Sequence, residues 1–248
     1  MKNKSFLVGG AICLLALMLM PGLGQAGMWV GLQGGANWTA DTDVRTPAGT
    51  GWSAETFPNV KRDVAALGGI IIGYDFVKEG FLGYNYPEWM KYFSFCTDFT
   101  YNRATSRSQT VYSVYDAGFT TPEEIHMEMS LACWSFLFKA RYGFFPDSEV
   151  PFGRLQPYLM VGPGILFSSV RADFFYGATG SHASSVDIAL VTEAGIRWMA
   201  LKNVSLDAGF RYRYAKPSYD LHLSGGRTTD MTTELHLFTA MFRVSYHF

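Results

Sequence analysis

The segment FTAMFRVSYHF, residues 238–248, decides the fold. Counting back from Phe248, the residues Tyr246, Val244, Phe242, Ala240 and Phe238 are apolar. His247, Ser245, Arg243 and Thr239 between them are polar, with Met241 the one exception. An alternation of period two places one set on each face of a strand, because successive side chains of extended backbone point to opposite sides. The segment therefore reads as a half-buried strand, and it stops on a bulky aromatic where soluble chains more often carry a frayed polar tail.

The same period recurs seven more times, at 28–38, 64–76, 91–103, 125–144, 155–169, 185–199 and 204–214. In 91–103, Phe93, Phe95, Phe99 and Tyr101 share one face, and Ser94, Asp98, Thr100 and Asn102 the other. In 125–144 the charges change parity, from Glu128 to Lys139 and Arg141, which predicts a bulge or kink between them. No helical periodicity of comparable length competes. Long polar connections are expected at 39–63, 104–124, 169–184 and 215–233, and short ones after the fourth and sixth strands, with Lys202-Asn203 the tightest. The connection 77–90 after the second strand is longer than that rule. Long connections on one side and short ones on the other describe an up-and-down barrel.

Residues 1–26 carry the parts of an export signal: Lys2 and Lys4, an apolar stretch from Phe6 to Met20, and small residues before a cut after Ala26. The mature unit is then one domain, 27–248. The whole chain has 20 Lys and Arg against 21 Asp and Glu; without Lys2 and Lys4 there are 18 against 21, and no basic run to follow a phosphate backbone. Nucleic acid is excluded as a partner on those grounds. Two cysteines remain, Cys96 and Cys133, too few for a disulfide scaffold. Counting parity from strand to strand sets them on opposite faces, which predicts free thiols. The histidines show no ligand spacing, so no metal and no cofactor is expected.

Alternation alone does not separate a membrane barrel from a soluble one with an apolar lumen. Aromatics make up 16% of the chain and charged residues 17%. One face of 185–214 carries Ile188, Leu190, Ile196, Trp198, Leu206, Phe210, Tyr212 and Tyr214; the other carries Asp187, Glu193, Arg197, Asp207, Arg211 and Arg213. Gly and paired charges fit inside a small barrel better than two rows of large aromatics. Trp29, Trp38, Tyr74, Phe76, Trp198, Tyr212 and Tyr214 stand at strand ends, where membrane barrels carry aromatic girdles. The expectation is an all-β, eight-stranded antiparallel transmembrane barrel. Its interior would hold Asp75, Asp98, Glu128, Asp187, Glu193, Arg197, Asp207, Arg211, Arg213 and Arg243, paired as buried charges must be.

The stretches MWVGLQGGANW (28–38), RLQPYLMVGPG (154–164), AGIRW (194–198), LDAGFRYRY (206–214) and FRVSYHF (242–248) resemble the eight-stranded outer-membrane β-barrel family of Gram-negative bacteria, the OmpA-like transmembrane domain group. The likeness covers nearly all of 27–248, as loose patterns without a catalytic signature. It implies insertion into the outer membrane among lipid and lipopolysaccharide. It also implies an assembly signal, read by the barrel-assembly machinery, at Val244, Tyr246 and Phe248; Arg243 and Met241 depart from that pattern. The peptidoglycan-binding domain of longer relatives is not expected. Three roles follow: an envelope or surface-interaction protein working through its outer loops, a narrow porin-like channel for small or apolar solutes, and a lipid A-modifying enzyme. The last would use His222, Ser224 and Glu234, although Gly225 stands where the deacylase pattern has Asn.

Overall fold

The computed structural model describes residues 27–47, 54–76, 85–174, 178–223 and 227–248. The expected export signal, 1–26, lies outside them. Among the described residues twelve strands form one antiparallel sheet: β1 (Met28–Thr39), β2 (Thr42–Thr46), β3 (Glu55–Val60), β4 (Ala65–Asp75), β5 (Phe93–Tyr115), β6 (Thr120–Arg141), β7 (Leu155–Phe174), β8 (Ala178–Leu201), β9 (Val204–Ala215), β10 (Ser218–Leu223), β11 (Arg227–Thr233) and β12 (Leu235–His247). Eight of them, β1, β4, β5, β6, β7, β8, β9 and β12, pair in a ring, closed where Trp29 lies opposite His247 and Thr39 opposite Leu237. The fold is an eight-stranded up-and-down transmembrane barrel, and closure leaves its lipid-level backbone with no open edge.

Side chains sort by parity. Leu32, Ile70, Phe95, Phe99, Trp134, Phe138, Leu159, Ile196, Trp198, Leu206, Phe210, Phe242 and Val244 face outward and are exposed. Gln33, Asp75, Asp98, Thr100, Lys139, Glu193, Arg197, Asp207, Arg211 and Arg243 face inward and are buried. An apolar exterior around a polar interior is the arrangement a hydrocarbon solvent demands.

Three expectations change. First, β6 keeps a single phase, with every odd residue from Glu123 to Arg141 buried. Lys139 and Arg141 therefore point into the lumen. Glu128 points outward, its side chain 55% exposed, because nothing in β6 inserts the residue that a change of phase would need. Second, Cys96 and Cys133 share the lumen, lying opposite Leu137 and Thr100; both are buried and free. Third, much of what reads as long loops is strand. β5 and β8 run for 23 and 24 residues, about twice the ~10 needed for a tilted crossing.

The extra length builds a second storey above the barrel from β2, β3, β10, β11 and the distal halves of β5 to β8. Here the polarity inverts. Val44, Phe57, Val60, Ile125, Met127, Met129, Leu131, Leu221 and Met231 are buried inside. Arg45, Glu124, Glu128, Arg171, Lys216, Asp220 and Glu234 are outside. That is the pattern of a soluble barrel, and it marks where water replaces lipid around the wall. The bulge between Ser106 and Gln109 opens the β5 ladder, and the Gln109 amide closes it by bonding the N–H and C=O of Lys61 at 3.1 and 2.9 Å. β10 and the distal part of β8 come within 8 Å, yet no ladder joins them among the described residues.

Candidate functional site

The lumen at membrane level is filled by one connected network. At the end carrying the tight Lys202-Asn203 turn, Asp75 accepts from Trp29 Nε1 at 3.0 Å and Ser94 Oγ at 2.7 Å, and pairs with Arg141 Nη1 at 2.9 Å. The Arg197 guanidinium lies 4.4 Å from the Trp29 ring and donates to both oxygens of Asp207 at 3.0 Å. Arg243 reaches Asp207 at 3.3 Å and Glu193 at 3.1 Å, and donates to Gln33 Oε1 at 2.9 Å. Arg211 bridges Glu193, at 2.7 Å, and Asp98. Tyr158 donates to Glu193 at 2.8 Å, and its ring lies 4.0 Å from Lys139 Nζ. Gly195 and Gly209 sit beneath that phenol, where any Cβ would crowd the Tyr158 oxygen.

Asp98, Glu193, Arg197, Asp207, Arg211, Arg213 and Arg243 all lie in this lumen, none more than 3% exposed. Asp187 stands higher, half-buried, accepting from Ser185 Oγ at 2.7 Å. Sequence reasoning missed Trp29, Lys139 and Arg141. Trp29 belongs to no girdle, since odd parity turns it inward, onto a wall where a Cβ at Gly73 would overlap its indole. The signal for the other two was the unbroken odd series in β6.

Arg213 has no carboxylate partner among the described residues. It donates to the amide oxygens of Asn37 at 3.0 Å and Asn102 at 3.1 Å. In the outer storey Arg62 bonds, among the described residues, the hydroxyls of Thr42 at 2.8 Å and Thr233 at 3.3 Å, and burial lowers its pKa to about 10. Burial also raises the Tyr219 phenol nearby to about 12.

Of the residues considered for catalysis, Ser224 lies outside the described residues, as does the side chain of His222. The His222 backbone pairs with Thr228 near the end of the β10–β11 hairpin. Glu234 follows the base of β11 and is held by Lys216 at 3.0 Å. Six residues of strand separate the levels of Thr228 and Glu234, about 20 Å of extended backbone. Val244 and Tyr246 face outward; the Phe248 N–H donates to Met28 O at 3.1 Å, and its ring lies edge-on to Tyr246 at 5.3 Å. Among the described residues no group of three or more His, Cys, Asp or Glu could hold a metal.

Two long connections frame the mouth at the same end. A 3-10 helix, Glu88–Tyr92, precedes β5, and the turn 142–154 joins β6 to β7. Asp147 anchors that turn by accepting from the Val150 and Glu149 N–H groups at 2.7 and 2.9 Å and pairing with Arg154, and these bonds, that of Val150 foremost, lower its pKa. Between helix and turn lies a cleft of about 560 Å³.

No protein-family model matches the chain. No curated protein matches it either. Solved structures do match. The outer membrane protein OprG from Pseudomonas aeruginosa is 14% identical, with 90% of this chain and 96% of that one covered, at a TM-score of 0.53. The outer membrane protease OmpT from Escherichia coli is 8% identical, covering 89% and 96%, at 0.51. Neisserial surface protein A is 15% identical, covering 90% and 98%, at 0.48. The chain thus has the fold of the outer-membrane β-barrels.

Proposed function

We propose that this chain is a non-enzymatic outer-membrane protein with an envelope or surface-interaction role, its lumen closed and its outer storey serving as a rigid presentation platform. The observation that carries this reading is the salt-bridged network, whose Arg197, Arg211 and Lys139 are wholly buried. Eight strands enclose just enough space for side chains to fill, and here large ones fill it. The tallest hairpin, β5–β6, exposes Tyr112, Val114 and Phe119 near its tip, with Phe119 stacked on Tyr115 at 4.5 Å. Exposed aromatics on a rigid scaffold favour contact with another surface. A cleaved export signal at 1–26, lipopolysaccharide around the upper rim, and an assembly machinery that reads Val244, Tyr246 and Phe248 belong to the same proposal.

Planar-bilayer recording on the purified mature chain tests the closed lumen. The expected trace stays at baseline; reproducible ohmic steps would overturn the closed reading in favour of a narrow channel. Replacing Tyr112 and Phe119 by Ser should reduce adhesion of expressing cells to their target surface while leaving the amount of folded barrel unchanged.

A further inference from the structure

The cleft at the turn-bearing mouth has an unusual set of walls. Tyr92 and Tyr142 stack parallel, 5.7 Å apart with 4° between their planes, and Phe152 leans on Tyr92 at 5.9 Å. Arg141, buried, lies 4.4 Å above the Phe152 ring. Its Nη1 is taken by Asp75 and Gln156, while its Nε has no partner among the described residues. Glu88 and Lys91 line the same cleft from the 3-10 helix. Three residues apart, they lie on one face of such a helix. Both are exposed, and neither has an ion-pair partner among the described residues.

Two cations and one carboxylate therefore converge on an aromatic cleft. It opens at the rim of the lipid-facing wall, since Phe76, which also lines it, packs at 6.4 Å on the outward-facing Phe138. A ligand that matches all of this carries an anion, a cation a few bonds away, and an apolar body that can leave along the outer wall.

We propose that the cleft binds the headgroup of a zwitterionic glycerophospholipid from the leaflet at this end of the barrel. Lys91 and Arg141 take the phosphate, Glu88 takes the primary ammonium, and the acyl chains run up the wall past Phe76 and Phe138. The volume suits a headgroup, falling within the range of small-molecule sites. Aromatic side chains with polar tips occupy the membrane–water boundary for the same reason that a headgroup does.

The test is native mass spectrometry of the full mature protein released from detergent, titrated with phosphatidylethanolamine or phosphatidylglycerol of identical chains. One phosphatidylethanolamine should be retained in preference to phosphatidylglycerol. Lys91→Ala should weaken retention about tenfold, as expected for loss of a charge-assisted bond. Glu88→Gln should weaken phosphatidylethanolamine alone. The 3-10 helix contributes no buried residue, so both variants should keep heat-modifiable gel mobility. Equal retention of the two lipids would overturn the proposal, as would indifference to Lys91→Ala. Soluble glycerophosphoethanolamine binding as tightly as the lipid would overturn the membrane source.

Discussion

Arg243 ties β12 to three other strands, through Gln33 on β1, Glu193 on β8 and Asp207 on β9. Removing it leaves two buried carboxylates short of a cation, and breaking a buried pair from one side costs about 3–5 kcal/mol. Arg243→Ala should lower unfolding stability in detergent by that order, measured by denaturant titration. Arg243→Ala combined with Glu193→Gln should recover part of the loss; a fully additive double variant would mean that the two do not share a network. Gly209→Ala should cost about 1–3 kcal/mol in the same titration, because a Cβ there meets the Tyr158 oxygen and the core has no slack. At this scale the sequence was legible wherever alternation was clean: β9 and β12 sorted their charges inward by parity alone. It misled in β6, where Glu128 was assigned to the interior and the opposite parity of Lys139 was read as a bulge or kink, whereas the strand keeps one phase, with Lys139 inward and Glu128 outward. A charge outside the barrel is acceptable once the wall has left the lipid, and parity carries no information on where that happens.

Among the elements, the distal hairpins departed most from expectation. In β5 the segment 104–115 alternates, but Ser106 and Ser113 lie inward while Tyr112 and Val114 lie outward, so hydropathy does not distinguish its faces. Such a strand is formed by its neighbours, and β6 supplies the partner, rung by rung, from Ser106 opposite Met127 to Val114 opposite Thr120. The practical difference between strand and loop is access to proteases. Brief trypsin treatment of the folded protein should leave Arg45 and Arg171 uncut, as read by peptide mass mapping; rapid cleavage at both would contradict a ladder-bonded storey. Hydrogen exchange should be faster along β10 than along the distal part of β6, because among the described residues one edge of β10 lacks a ladder. At the opposite mouth, the lowered pKa of Asp147 means that its anchoring is complete above the ordinary carboxylate range and is lost as pH falls through the lower folded value. The Glu149 and Val150 amides should therefore lose exchange protection only as pH falls below the ordinary carboxylate range, and Asp147→Asn should remove the pH dependence.

For the whole molecule, eight strands and their order were readable because closure and alternation agree, and the match to OprG and OmpT rests on that same geometry. The height of the structure was not readable, because periodicity marks a strand without stating which solvent surrounds it. A closed lumen and a sealed ring predict a compact form that resists detergent until heated, seen as a mobility shift on gels between unheated and boiled samples.

The inversion of polarity between the storeys gives the protein two melting behaviours in one continuous sheet. Urea weakens an apolar core surrounded by water, whereas it acts weakly on strands whose outer surface never meets it. Moderate denaturant should therefore strip the upper half of β5 to β8 and leave a shorter barrel intact in the bilayer. Trp29, Trp38, Trp89, Trp134 and Trp198 all belong to the lower part or its rim. With Trp52, which lies outside the described residues, replaced by Phe, β-sheet circular dichroism should fall before tryptophan fluorescence changes, and the first step should be insensitive to lipid thickness while the second follows it.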